Sequence, residues 1–191
     1  MLIIFDTETG GLQPQHPTIQ LAAISVDDQF NELGYFEKKI AFREDACDPE
    51  ALALNSYSRD AWKGASSEQD VVAAFAAFLN QYKSVQCISK RTGNPYMVAR
   101  LAGHNAASFD GPRLKALFEK YKTFLPAHPI VLDTLQLALW RFMKAGKTPA
   151  SYKLADLCQA CGIPSEGAHD ALADCRMTLE LMRVLLNGRA K

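Results

Sequence analysis

Leu2-Ile3-Ile4-Phe5-Asp6-Thr7-Glu8-Thr9-Gly10-Gly11-Leu12 is the stretch whose reading decides the fold. Its apolar run, residues 2–5, is stopped by Asp6 and reads as a short strand that closes on a Gly10-Gly11 turn. Strand side chains alternate between faces, so Asp6 and Glu8, two apart, point to one side. Two carboxylates on one side can reach a single hard cation, which takes oxygen ligands. The plain alternative is a solvated strand end with two incidental acids, since a lone Asp-x-Glu recurs by chance.

Working outward, Thr18–Val26 and residues 35–42 read as two more strands, joined through the polar turn of Asp27, Asp28, Asn31 and Glu32. Ser66-Ser67-Glu68 opens a helix to about Tyr82, with Val71, Val72, Phe75, Phe78 and Leu79 at helical spacing. Residues 85–89 and 96–102 flank Arg91-Thr92-Gly93-Asn94-Pro95 and form an expected hairpin elaboration over about 85–102. Helices are expected at about 111–122, 133–145, 151–161 and 170–187, the last ended by Gly188. Strands early and helices late imply a mixed α/β sandwich built on one sheet. A length of 191 residues, without linker or repeat, fits a single domain over 1–191.

A chain that is 48% hydrophobic can bury a sizeable core, and no stretch is apolar for long enough to be a signal peptide or to span a membrane. Five cysteines, an odd number, read as reduced thiols in a cytoplasmic setting. Net charge is zero, but residues 1–80 carry −8 and residues 81–191 carry +8. Such asymmetry is compatible with a basic face for phosphates and equally with scattered solvated charge.

Two further groups bear on the chemistry. Gly103-His104-Asn105-Ala106-Ala107-Ser108-Phe109-Asp110 follows a strand and precedes a helix. Asp110 with Gly111-Pro112 makes a sound helix start, so a cap alone explains the aspartate, though not the His-Asn before it. His169-Asp170-Ala171-Leu172-Ala173-Asp174 opens the last helix, with Asp174 among apolar neighbours. Five residues correspond to about 140° of helix, so His169 and Asp174 converge only if His169 lies in the loop before it. Gly167-Ala168 makes that loop reasonable, and Asp170, four before Asp174, is the same-face competitor. Cys158-x-x-Cys161, with Cys175 and His169 nearby, is either a zinc site or a pair of core thiols among Leu154, Leu157 and Ile163.

Together these groups resemble the three motifs of the DnaQ-like exonucleases, the DEDD superfamily of RNase H-like fold, in its histidine (DEDDh) subgroup. Residues 6–12 resemble the first motif, residues 104–110 the second, and His169-x4-Asp174 the third. Ile19-Gln20-Leu21-Ala22, Leu132-Asp133-Thr134 and Ser151-Tyr152-Lys153-Leu154 fit the intervening text. The second motif departs from its commonest form: three residues, Ala106, Ala107 and Ser108, separate His-Asn from Phe-Asp, a spacing similar to that of the three-prime repair exonucleases.

The resemblance implies a central mixed five-stranded sheet flanked by helices and a 3′→5′ exonuclease that releases nucleoside 5′-monophosphates. It implies that Asp6, Glu8, Asp110 and Asp174 hold two Mg²⁺ ions, or Mn²⁺ in their place, roughly 4 Å apart. His169 would be the general base, histidine's unperturbed pKa near 6.5 suiting that role. Thr7, Thr9, Gly10, Leu12, His104, Asn105 and Phe109 are expected along the substrate. Leu12 would pack on the terminal base or else serve as ordinary core. The expected partner is nucleic acid with a free 3′ end, single-stranded or frayed DNA favoured over RNA. An exoribonuclease and a non-catalytic binding or polymerase-associated module are the alternatives, and a homodimer stays open.

Overall fold

In the computed structural model, which describes residues 1–165 and 169–187, the first strand β1 (Leu2–Thr9) extends beyond the apolar run and carries the acidic motif at its end, as the alternation of Asp6 and Glu8 requires. Its antiparallel pairing with β2 (Thr18–Val26) continues past Phe5: Asp6 lies opposite Ala22, Thr7 opposite Leu21 and Glu8 opposite Gln20. Ladder bonds hold the backbone extended whatever the side chains are, so the strand continues through the polar residues. All nine residues of β2 are buried.

Strand β3 (Glu32–Lys39) lies three residues earlier than expected. A tight turn sets it, because the Asp27 carboxylate accepts from the N–H groups of Gln29 and Asn31 at 2.8 Å each. Val26 therefore pairs with Glu32, and Gln20 with Lys39. A short helix not expected from the sequence, α1 (Pro49–Leu54), follows. Helix α2 (Glu68–Gln81) starts as expected, the Ser67 hydroxyl accepting from the N–H of Asp70.

The expected strand 96–102 is two strands. The hairpin pairs β4 (Val85–Ile88) with β5 (Pro95–Val98) as a separate two-stranded sheet. The chain then turns at Ala99, whose N–H donates to the Pro126 carbonyl, and β6 (Leu101–Gly103) enters the main sheet parallel to β1. Helix α3 (Asp110–Lys120) leads to a two-residue strand, β7 (Leu132–Asp133), and then to α4 (Thr134–Lys144), α5 (Leu154–Ala160) and α6 (Ala171–Asn187). The expected terminator Gly188 lies outside the described residues. The five-stranded sheet has the order β3-β2-β1-β6-β7, antiparallel on one side of β1 and parallel on the other.

Helices cover both faces. Ile3 and Phe5 join Val71, Phe75 and Leu79 of α2 and Leu114 and Phe118 of α3. Ile4 on the opposite face joins Ala171, Leu172, Cys175 and Leu179 of α6. Burying side chains of this size stabilises by roughly 1.5–3 kcal/mol each, an upper range against a compact unfolded chain. Asp6 and Glu8 have the parity of Ile4, so they face α6. A third cluster ties α4 and α5 to α6 through Phe142, Leu157, Cys158 and Leu181. Among the described residues no helix is long and apolar enough to cross a membrane.

Candidate active site

Ligand atoms of Asp6, Glu8 and Asp174 lie within 4.8 Å of one another. β1 supplies the first two and α6 the third, one turn into the helix. Asp110, the first residue of α3, enters from the other side of β1. It is held there by Thr7, whose backbone N–H (3.2 Å) and hydroxyl both donate to its Oδ1. Thr7, expected along the substrate, is thus buried against a carboxylate.

Four acids packed this way repel, and burial removes the water that would screen them. The Asp6 carboxyl is pushed well above its usual range by burial first, then by Asp110, Glu8, Asp174 and Asp170. Burial and the same neighbours raise Glu8 to about 7. Burial raises Asp110 to about 6 against the Thr7 hydrogen bonds, and Asp174 to about 6 against His169. Oδ1 of Asp174 is buried without a hydrogen-bond partner. An orphaned carboxylate oxygen beside two more carboxylates, all hard oxygen donors, fits a divalent cation.

Asp170 is employed otherwise. Its Oδ1 accepts from the N–H of Ala173 at 3.1 Å, capping α6, and its Oδ2 accepts from Gln20 Nε2 at 3.1 Å. His169 lies just before the helix with φ +71°, and its nearness lowers the Asp174 carboxyl against the rise that burial imposes. Its exposed side chain lines a cleft of about 740 Å³ together with Glu8, Gly11, Leu12 and Phe109. The preceding Gly167-Ala168 lie outside the described residues.

Leu12 is 79% exposed at this cleft, which removes the core reading of that residue. The opposite wall is α1, contributing Glu50, Ala51 and Leu54. Asn55 ties α1 to the motif by donating from Nδ2 to the Thr9 carbonyl at 3.0 Å. Sequence reading missed this wall. One turn and a half of helix shows no periodicity, and the Asp48-Pro49-Glu50 start was the only signal.

Other expected substrate contacts are occupied inside the protein. Both ring nitrogens of His104 are engaged, Nδ1 with the Thr134 hydroxyl and Nε2 with the Tyr152 carbonyl, each at 2.9 Å. Gly10 packs its α-carbon against Cys47, where a Cβ would collide with the thiol. The Thr9 hydroxyl donates to the Gly11 carbonyl at 2.9 Å. Asn105 is exposed and left-handed, φ +56°, its N–H donating to Asp133 Oδ1 at 2.8 Å. Asp133 also receives the N–H groups of Ala107 and Leu135, so one carboxylate shapes the longer second-motif loop and caps α4. The half-buried Phe109 ring lies 4.3 Å from the Arg113 guanidinium. Cys158 is a core thiol pushed up to about 12 by burial, and among the described residues no third ligand joins it and Cys161.

A model of the RNase T exonuclease family matches residues 3–92 and 96–182, nearly all of the chain. The chain belongs to that family. Among solved structures this exonuclease-family chain is similar to the zinc-bound E. coli exonuclease I–ssDNA complex, with a TM-score of 0.76 at 22% identity over 98% of this chain. It is similar also to E. coli exonuclease I with a dT13 oligonucleotide, at 0.74 and 23%, and to a product-bound exonuclease I, at 0.74 and 21%, again over 98% of this chain. At these identities the likeness speaks for the fold. The chain covers 40%, 41% and 43% of those three chains, about two fifths of their length. No curated protein matches by sequence.

Proposed function

We propose that this chain is a 3′→5′ exonuclease of the DEDDh kind, forming a single domain over 1–191 and acting on single-stranded or frayed DNA. The observation that carries the reading is the meeting of Asp6, Glu8 and Asp174, of which Glu8 lines the cleft that also bears the exposed Leu12 and His169. Membership of the exonuclease family supports it. The oligodeoxynucleotides bound by exonuclease I favour DNA over RNA. Five free cysteines favour the cytoplasm.

Asp6, Glu8 and Asp174, with Asp110 beside them, would hold two Mg²⁺ ions. Bound there, such ions lower the pKa of water and stabilise charge on the attacking and leaving oxygens. His169, which lines the same cleft as Glu8, accepts the proton of the attacking water at an imidazole nitrogen. Leu12 and Leu54, exposed on facing walls, pack the terminal base. Thr7 and Asp170 position: the first aims Asp110, and the second holds the start of α6.

Incubation of labelled single-stranded DNA and RNA oligomers, with Mg²⁺ and with excess chelator, tests this reading. Nucleoside 5′-monophosphates released from DNA 3′ ends are expected, with a covalently closed circle surviving. Undiminished cleavage in chelator, or fragmentation of the circle, would sink it.

A further inference from the structure

Arg113 sits one turn into α3 and reaches back across the motif. Its Nη2 donates to the Leu12 carbonyl at 2.8 Å and is shared with those of Gln13 at 3.1 Å and Gly11 at 3.3 Å, while Nη1 donates to the His16 carbonyl at 3.3 Å. The same guanidinium stacks on Phe109 at 4.3 Å. Four carbonyls of one loop thus converge on one cation. Besides Arg113, the loop's own bonds are His16 N–H to the Gln13 carbonyl, Gln13 N–H to His16 Nδ1, Gly10 N–H to the Pro17 carbonyl and the Thr9 hydroxyl to the Gly11 carbonyl, with Asp48 N–H donating to the Gly10 carbonyl at its start; none of these reaches the Leu12 carbonyl. Leu12 at its tip is 79% exposed, so apolar packing does not fix it.

We infer that Arg113 is a positioning residue for the 3′-terminal nucleotide: it locks the loop presenting Leu12 to the helix presenting Asp110. This rests on the exonuclease reading above. The planar fork of a guanidinium can serve several carbonyls at fixed directions and stack on an aromatic face at once. An ammonium at the same place is a point charge with neither property. Through Arg113, the distance between the base-packing side chain and one acid of the cluster becomes a property of α3 alone.

The test uses Arg113→Lys and Arg113→Met, which keep the side-chain stem and its packing, and Leu12→Ala, alone and combined with Arg113→Met. For Arg113→Met, kcat/KM on a short single-stranded oligonucleotide is expected to fall roughly 10- to 100-fold, the scale of a misplaced reacting group. Most of the fall should appear in KM, with Mn²⁺ binding unchanged. On the Leu12→Ala background the same substitution should add little, because both changes act on one contact. Amide exchange at Gln13 and His16 should quicken in Arg113→Met, with melting temperature as the control for folding. Full activity in Arg113→Lys, or additive losses in the double variant, would overturn the inference. A wild-type chain that releases no nucleotides would sink the exonuclease reading instead, and the exchange at residues 11–16 would still decide the clamp.

Discussion

Thr7 donates its backbone N–H and its hydroxyl to the same carboxylate oxygen of Asp110, so one residue of β1 aims the acid that α3 contributes. Hydrogen bonds to a carboxylate favour its charged form, and here they offset part of the rise that burial imposes on Asp110. Thr7→Val keeps the shape and the N–H but removes the hydroxyl. The Asp110 pKa should rise further above about 6, moving the acid limb of the rate profile to higher pH. Activity near pH 7 should drop by roughly tenfold, the scale of one charge-assisted hydrogen bond, and recover partly towards pH 9. A uniform loss at every pH would show that Thr7 acts otherwise.

Stability of the metal-free protein should fall as pH rises. Glu8 at about 7 and Asp174 at about 6 bind protons in the folded chain that the unfolded chain has already lost. Where the folded state holds more protons, stability declines with pH. The contribution is complete below about pH 4 and is lost as pH climbs through 6 and 7. The melting temperature in chelator should therefore be lower at pH 8 than at pH 5.5. A difference of about 5 °C would correspond to roughly 2 kcal/mol in a chain of this length. Mg²⁺ should raise the melting temperature more at pH 8, and Asp6→Asn should flatten the chelator profile. A pH-independent melting temperature would contradict the mutual repulsion.

His169 and Asp170 are neighbours with different work, and substitution should separate them. His169→Ala should lower turnover by roughly 10²- to 10⁴-fold, the yield of general-base catalysis, with metal binding retained. Asp170→Ala should cost about 0.5–2 kcal/mol of stability through the lost cap and far less turnover. Loss of metal binding in Asp170→Ala but not in Asp174→Ala would reverse the assignment.

Lys90 lies after β4 and Arg91 in the hairpin turn, and that hairpin leaves the main sheet beyond the N-terminal end of β6, away from the carboxylates at the other end of β1. Removing both charges should weaken binding of long single strands and flatten the salt dependence, since fewer counterions are released. Hydrolysis of a dinucleotide, too short to reach the hairpin, should be unaffected. An unchanged salt slope would place the strand elsewhere.

What was legible in sequence was whatever local rules govern. Alternation put Asp6 and Glu8 on one face, and 3.6-residue periodicity marked α2 and α6 to within a residue or two. The 140° argument put His169 outside the helix, where its φ of +71° now places it. Boundaries failed where contacts between segments decide them, as in β3, which lies three residues early, and in the splitting of residues 96–102 at Ala99.

By itself the sequence determined the acids, their order and the elements that carry them, because these depend on spacing within one segment. Tertiary structure alone decided which groups face the cleft. His104 turned inward because Thr134 and the Tyr152 carbonyl, 30 and 48 residues away, take both its nitrogens. Asp110 found Thr7 across 103 residues, and Arg113 found the Leu12 loop across about the same distance. Hydrogen bonds between segments are set by where the packed helices come to rest on the sheet, and no local pattern encodes that.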